Sequence, residues 1–309
     1  MTSANPPTPD PRNTGAAAPE QAALTGLVVN MTLAGFKLIA GIVGNSFALV
    51  ADAVESMVDV AGSLIVWRAL EYGNKPADED HPFGHGKAES LAALAVGLLV
   101  VVAGIGIAIE SIDGIRVPHR PPAWYTLLAL IVVIVVKEFM FRFASRAAAP
   151  TESSAGRAEA WHHRSDALTS AAAFLGIAIA LIGGERFAPA DDWAALAASV
   201  IIFLNGVYLL RAPLGELMDK NTPAIATQCA DVVLDVEGIL AVERCEARKV
   251  GRTYRVIMHA EVPATMSVAD AHSLTGHAKA LVRERMPHVS SLLIHIEPHQ
   301  TPDHDEAAT

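Results

Sequence analysis

Asp52, Glu55 and Asp59 stand at i, i+3 and i+7 in an otherwise apolar stretch, so on a helix they share one face. An acidic side chain at mid-membrane costs roughly 2.5 to 3.5 kcal/mol, and three turned to lipid would forfeit roughly 8 to 10 kcal/mol. These acids must face protein, water or a cation. Further along, His162 and Asp166 form an i, i+4 pair at the start of another apolar stretch, and such a pair can close on one ion. Two helices offering carboxylate and imidazole at similar depth could build a tetrahedral metal site. The competing reading is a buried ion-pair network, but no basic residue lies deep in these two stretches. His163 projects about 100° away from His162 and reads as interfacial.

Two further groups carry metal chemistry. The segment Asp78-Glu79-Asp80-His81-Pro82-Phe83-Gly84-His85-Gly86-Lys87 can bring Asp78, His81 and His85 onto one ion if Pro82 and Gly84 bend the chain; the alternative is a hydrated acidic loop. Near the end, strand alternation puts His259 with Glu261 on one face, and His295 with Glu297 on one face of another strand. His272, on the helix between them, could join. His277, His288, His299 and His304 read as surface residues.

The elements that must position these residues follow from composition. Of 309 residues, 52% are hydrophobic and 18% charged, and the mean hydropathy is +0.35, a texture unusual for a soluble chain. Leu91 to Ile109 holds no charge and nearly crosses a hydrocarbon core of roughly 30 Å. Ala167 to Gly184, Trp193 to Leu210 and Pro121 to Val136 are similar. Gln21 to Gly44, with Lys37, and Phe47 to Trp67, with the three acids, complete six spans and meet at a Gly44-Asn45 turn. One set of loops carries Arg68, Lys75, Lys87, Arg142, Arg146, Arg157 and Arg211; the other carries only Arg116, Arg120 and Arg186. Both termini are therefore expected in the cytoplasm.

After Arg211 charge density rises and the period changes to that of half-buried strands. A helix near Pro223 to Val236, strands near Leu240 to Arg248 and Tyr254 to Val262, a helix from Val268 to Met286 and a strand near Ser291 to Glu297 give the order αββαβ, a small α+β sandwich with a hairpin turn at Gly251-Arg252. The expected organisation is a disordered tail over residues 1–20, a six-helix transmembrane bundle over 21–213, a cytosolic domain over 214–300, and a disordered tail over 301–309.

A net charge of -10 and a pI near 5.6 exclude a nucleic-acid binder, which needs a basic face. Cys229 and Cys245 make neither a disulfide framework nor a CxxC zinc site. No HExxH is present, so an intramembrane metalloprotease lacks its signature, and no other enzyme chemistry is visible.

Glu55-Ser56-Met57-Val58-Asp59, the loop from Pro76 through Ser90, His162-x-x-x-Asp166 and the His259, His272, His295 series resemble the cation diffusion facilitator family, specifically its bacterial zinc and ferrous-iron efflux members. The resemblance covers roughly residues 21 to 298. It implies a homodimer in the inner membrane that exports a divalent metal against protons through six helices and a metallochaperone-like cytosolic domain. By motif match the transport site is Glu55, Asp59, His162 and Asp166, the loop site is Asp78, His81 and His85, and the cytosolic site is Glu243, His259, His272, His295 and Glu297. Lys87 and Asp219 match an ion pair that interlocks membrane and cytosolic parts. Glu55 stands where the family usually has Asp or His, Glu297 where it has Asp, and Glu243 where it has His; the longer carboxylates keep charge and shift geometry. Nitrogen and oxygen ligation suits zinc first, then iron(II) or manganese, with cobalt and cadmium also fitting. A membrane metal sensor should lack a midplane site, and a passive channel gives no reason for a titratable His beside carboxylates.

Overall fold

The computed structural model describes residues 19–117, 121–148, 154–184, 187 and 189–299. The expected tails lie outside the described residues, apart from Pro19 and Glu20, which begin the first helix. The elements are α1 Pro19–Val43, α2 Phe47–Gly73, α3 Lys87–Arg116, α4 Tyr125–Ala148, α5 Ser154–Gly183, α6 Ala190–Leu217, α7 Pro223–Leu234, β1 Ala241–Val250, β2 Thr253–Val262, α8 Val268–Arg285 and β3 Val289–Pro298. The six long helices and the αββαβ order match the sequence reading. Helix ends run further than expected, because the apolar stretches mark only the lipid-facing middle of each helix and charged turns continue beyond it.

The chain forms two compact units: residues up to Leu64 with Leu98–Val207, and Ile65–Gly97 with the residues from Tyr208 on. In the first, Leu49, Leu130, Ile177 and Ala195 are fully buried at the centre of an apolar cluster. Val102, Leu128, Leu175 and Leu204 are exposed on the outside, as helices require when their solvent is lipid. Among the described residues α3, the Asp166–Gly183 part of α5 and α6 are long and apolar enough to cross a membrane. α2 and α4 carry charged groups within their apolar stretches. Gly104 and Gly206 let α3 and α6 approach closely: a Cβ on Gly104 would lie 2.9 Å from the Phe203 nitrogen, and one on Gly206 2.8 Å from the Val101 nitrogen.

The start of α2, which sets the rotation of its acidic face, is fixed from α6. The Asp191 carboxylate accepts from Ser46 Oγ at 2.8 Å and from the Phe47 backbone N–H at 2.6 Å, while Ser46 Oγ accepts from the Leu49 N–H at 3.2 Å. A carboxylate and a hydroxyl thus satisfy donors that a helix N-terminus otherwise leaves unpaired. Asn45, at φ 52°, supplies the left-handed turn between α1 and α2.

In the second unit β1 and β2 form an antiparallel hairpin, with Gly251 at φ 59° in its turn, and β3 joins β2 in parallel, giving the order β1-β2-β3. Val256, Met258, Ala260 and Ile294 face a core closed by Val233 of α7 and by Ala278 and Val282 of α8. Ile257, His259, Glu261, His295 and Glu297 consequently line the opposite sheet face, away from α7 and α8. Ser267 caps α8 by accepting from the Asp270 N–H at 3.1 Å.

Candidate metal centres

The residues expected to form the transport site lie on α2 and α5. Asp52 and Asp166 are buried, Glu55 and Asp59 half-buried, and Glu55 lies within electrostatic reach of Asp52, Asp59 and Asp166. The Ser170 hydroxyl donates to Asp52 Oδ2 at 2.7 Å and so ties the two helices together one turn from the expected ligands. His162 belongs to α5, but its side chain, like that of His163, lies outside the described residues.

The competing reading of a buried ion-pair network holds in part, because helices flanking the two spans supply cations. Lys37 of α1, fully buried, donates to Asp52 Oδ1 at 2.8 Å and to Ser56 Oγ at 3.0 Å. Lys137 of α4, also buried, donates to Asp166 Oδ2 at 2.5 Å and to Asn30 Oδ1 at 2.9 Å. Spans two and five hold no deep base, as the sequence says, but their neighbours supply two. Lys37 was legible as a charge in the middle of an apolar segment, which demands a partner; Lys137 looked like the end of a span. Among the described residues, Glu55, Asp59 and Asp166 do not bring three ligand atoms within 4.8 Å of one another.

The loop residues do converge. Ligand atoms of Asp78, His81 and His85 lie within 4.8 Å of one another. The turn that Pro82 and Gly84 were expected to make is present: Gly84 sits at φ 77° and its N–H donates to the His81 carbonyl at 2.8 Å. Asp78 Oδ1 accepts the His81 backbone N–H at 2.7 Å, which with the two imidazoles holds its carboxyl below the usual range. His85 is buried, with Nδ1 3.2 Å from the Pro76 carbonyl; a carbonyl only accepts, so Nδ1 is the donor there and Nε2 is the nitrogen turned to Asp78. That nitrogen faces Asp78 Oδ2 at 3.3 Å. Either a proton or a metal ion can bridge that nitrogen and the carboxylate, and the carbonyl fixes the ring as an outer partner of a ligating His does.

On that sheet face Glu243, His259 and Glu297 offer ligand atoms within 4.8 Å of one another, one from each strand. Glu243 reaches the group because the register shifts between Val242 and Arg244, a bulge that re-aims its side chain. His259 Nδ1 lies 2.8 Å from Glu297 Oε1. A hydrogen bond between the two carboxyl groups pushes Glu243 above, and Glu297 below, the ordinary range. His295 stands at the rim, largely exposed, with Nε2 3.6 Å from Glu297. His272 is exposed on α8 and is not part of this group. His299, read as a surface residue, is half-buried instead: its N–H donates to the Val262 carbonyl, and its Nδ1 lies 2.5 Å from Glu261 Oε2. The strand pairing of β3 runs far enough to carry His299 to Glu261.

Lys87 Nζ and Asp219 Oδ1 are 3.2 Å apart, and Arg248 Nη1 donates to the other oxygen of Asp219 at 2.7 Å. The arginine, whose reach depends on the sheet, was not legible from the sequence.

Residues 23–218 match the cation efflux transmembrane domain, and residues 223–299 match the cytoplasmic domain of cation efflux proteins. The chain is 29% identical to the manganese efflux system protein MneP of Bacillus subtilis (strain 168), over 90% of this chain and 95% of that one. It is 29% identical to the magnetosome protein MamB of Paramagnetospirillum magneticum, covering 87% and 90% of the two chains, and 29% identical to the cation-efflux pump FieF of Pectobacterium atrosepticum, covering 90% and 92%. A solved MamM C-terminal domain in a nickel form is similar at 22% identity and a TM-score of 0.25, over 26% of this chain and 100% of that one. The chain belongs to the cation efflux family, the cation diffusion facilitators, and is a membrane transporter of divalent metal cations rather than an enzyme.

Proposed function

We propose that this chain exports a divalent cation from the cytoplasm in exchange for protons, with zinc as the first candidate cargo and manganese or iron(II) next. The observation that carries this reading is the gathering of Asp52, Glu55, Asp59 and Asp166 inside an apolar helix bundle, where ionisable groups are rare and mark ion pathways. Glu55, Asp59, His162 and Asp166 would form the transport site. Imidazole is the side chain whose ordinary titration spans neutral pH, and only its neutral form ligates metal, so proton and metal would compete at His162. Metal would load from the cytoplasm and protons would expel it on the far side, the two states exposing the site to opposite faces.

The names of MneP and FieF indicate manganese for one relative and leave the cation open for the other. Oxygen and nitrogen donors fit zinc, manganese and iron(II) alike. Residues 21–213 would sit in the inner membrane with both termini cytoplasmic. Residues 214–300 would pair in a homodimer, with metal at Glu243, His259 and Glu297 neutralising acids that otherwise repel. Lys87 and Asp219 would brace the base of α3 against the segment after α6, and the Asp78 loop would bind a second ion.

The test is full-length protein in proteoliposomes with a metal-sensitive dye inside. A lumen more acidic than the bath should accelerate entry of zinc, and of manganese to a lesser extent. Entry at a rate indifferent to the imposed pH gradient would overturn antiport and favour a passive channel.

A further inference from the structure

Lys137 has no place in the transport mechanism described so far, yet it is buried with its ammonium on a residue assigned to the metal. Its Nζ lies 2.5 Å from Asp166 Oδ2, with 2% and 9% of the two side chains exposed. A second acceptor, Asn30 Oδ1, is already in place at 2.9 Å. We propose that Lys137 is an internal competitor of the cargo: it holds Asp166 while the site is empty and gives the carboxylate up when a divalent cation binds. The inference rests on the reading of Asp166 as a transport ligand.

Three observations favour it. An unpaired carboxylate in this setting would be costly, so an empty carrier needs a cation on Asp166, and the nearest one is tethered to α4. A lysine ammonium is a compact charge on a flexible stem, and with Asn30 available it can leave Asp166 without losing every partner. Glu55 stands within electrostatic reach of Asp52, Asp59 and Asp166, so an arriving divalent ion is drawn by several carboxylates where the tethered ammonium holds one. Lys37 is the fixed counterpart. It is held by Asp52 and Ser56, and Asp52 is bound in turn by Ser170, so that pair is locked between three helices.

Competition predicts effects of opposite sign for two substitutions. Lys137→Gln removes the tethered charge, so the cargo meets an uncontested carboxylate; apparent KM for zinc flux in proteoliposomes should fall at least about tenfold. Turnover should fall with it, because release into an empty site no longer has a cation to take the metal's place. Lys137→Arg keeps the charge and can grip the carboxylate with two N–H groups, so KM should rise at least about threefold. In an Asp166→Asn background neither change should matter, because flux should already be at the level of empty vesicles. Wild-type flux in Asp166→Asn alone would refute the ligand reading itself. Lost flux in Asp166→Asn with an unchanged or raised KM in folded Lys137→Gln would overturn only the lysine proposal. Should Lys137→Gln elute as aggregate, Lys137→Arg decides: a raised KM supports the competition and an unchanged KM overturns it.

Discussion

Lys37 Nζ and Asp52 Oδ1 lie 2.8 Å apart in the bundle, and the other oxygen of Asp52 accepts from Ser170, so one carboxylate links α1, α2 and α5. Removing one partner of a buried pair leaves the other as an uncompensated charge, which is far costlier than removing both. Lys37→Met should destabilise the protein by about 3 to 5 kcal/mol. Lys37→Met with Asp52→Asn should recover a substantial part of that loss. Thermal unfolding in detergent reads both, and a double variant no more stable than Lys37→Met would show that the pair does not act as a unit.

The exposed pair at the base of α3 predicts a smaller and asymmetric effect. Lys87 and Asp219 are partly solvated and are worth at most about 1 kcal/mol together. Asp219 also holds Arg248, so Asp219→Lys should cost more than Lys87→Asp. The double reversal should recover the Lys87 contribution and leave the Arg248 contribution lost. Additive losses without any recovery, measured by melting temperature, would reject the pairing.

The carboxyl pair on the sheet predicts a pH dependence. Two carboxyl groups hydrogen-bond only when one is protonated, and here the neighbouring Glu297 raises Glu243. Metal needs Glu243 ionised, so its affinity for the cytosolic site should fall on acidification through the raised range of Glu243, at a higher pH than for an isolated glutamate. Glu243→Gln should bind metal more weakly near neutrality and lose less of its affinity between neutral and mildly acidic pH. Calorimetric titration in a series of buffers reads this, and an identical pH profile in the variant would show that histidine alone sets it.

The helices were legible because uncharged runs of membrane length and alternating strand patterns are local signals. Even the acids of α2 could be placed on one face from spacing alone. What stayed hidden was tertiary. That Lys37 and Lys137 reach Asp52 and Asp166 depends on α1 and α4 flanking α2 and α5, which no single segment encodes. Glu243 gains its position from a one-residue register shift, invisible to a period-two reading. His299 looked like a surface residue, yet its backbone still pairs with Val262 and brings the ring to Glu261. The convergence of the loop histidines on Asp78 was legible because Pro82 and Gly84 constrain the turn locally.

The claim that the acids of α2 and α5 carry the metal is tested most directly by the initial rate of zinc entry into proteoliposomes containing wild-type protein or Asp59→Asn, at equal protein density and with a lumen more acidic than the bath. Asp59→Asn removes a half-buried charge and the proposed ligand while keeping the side chain's shape, so the variant should elute as the wild type does. Its zinc entry should match that of protein-free vesicles. Wild-type rates from the folded Asp59→Asn protein would contradict the account.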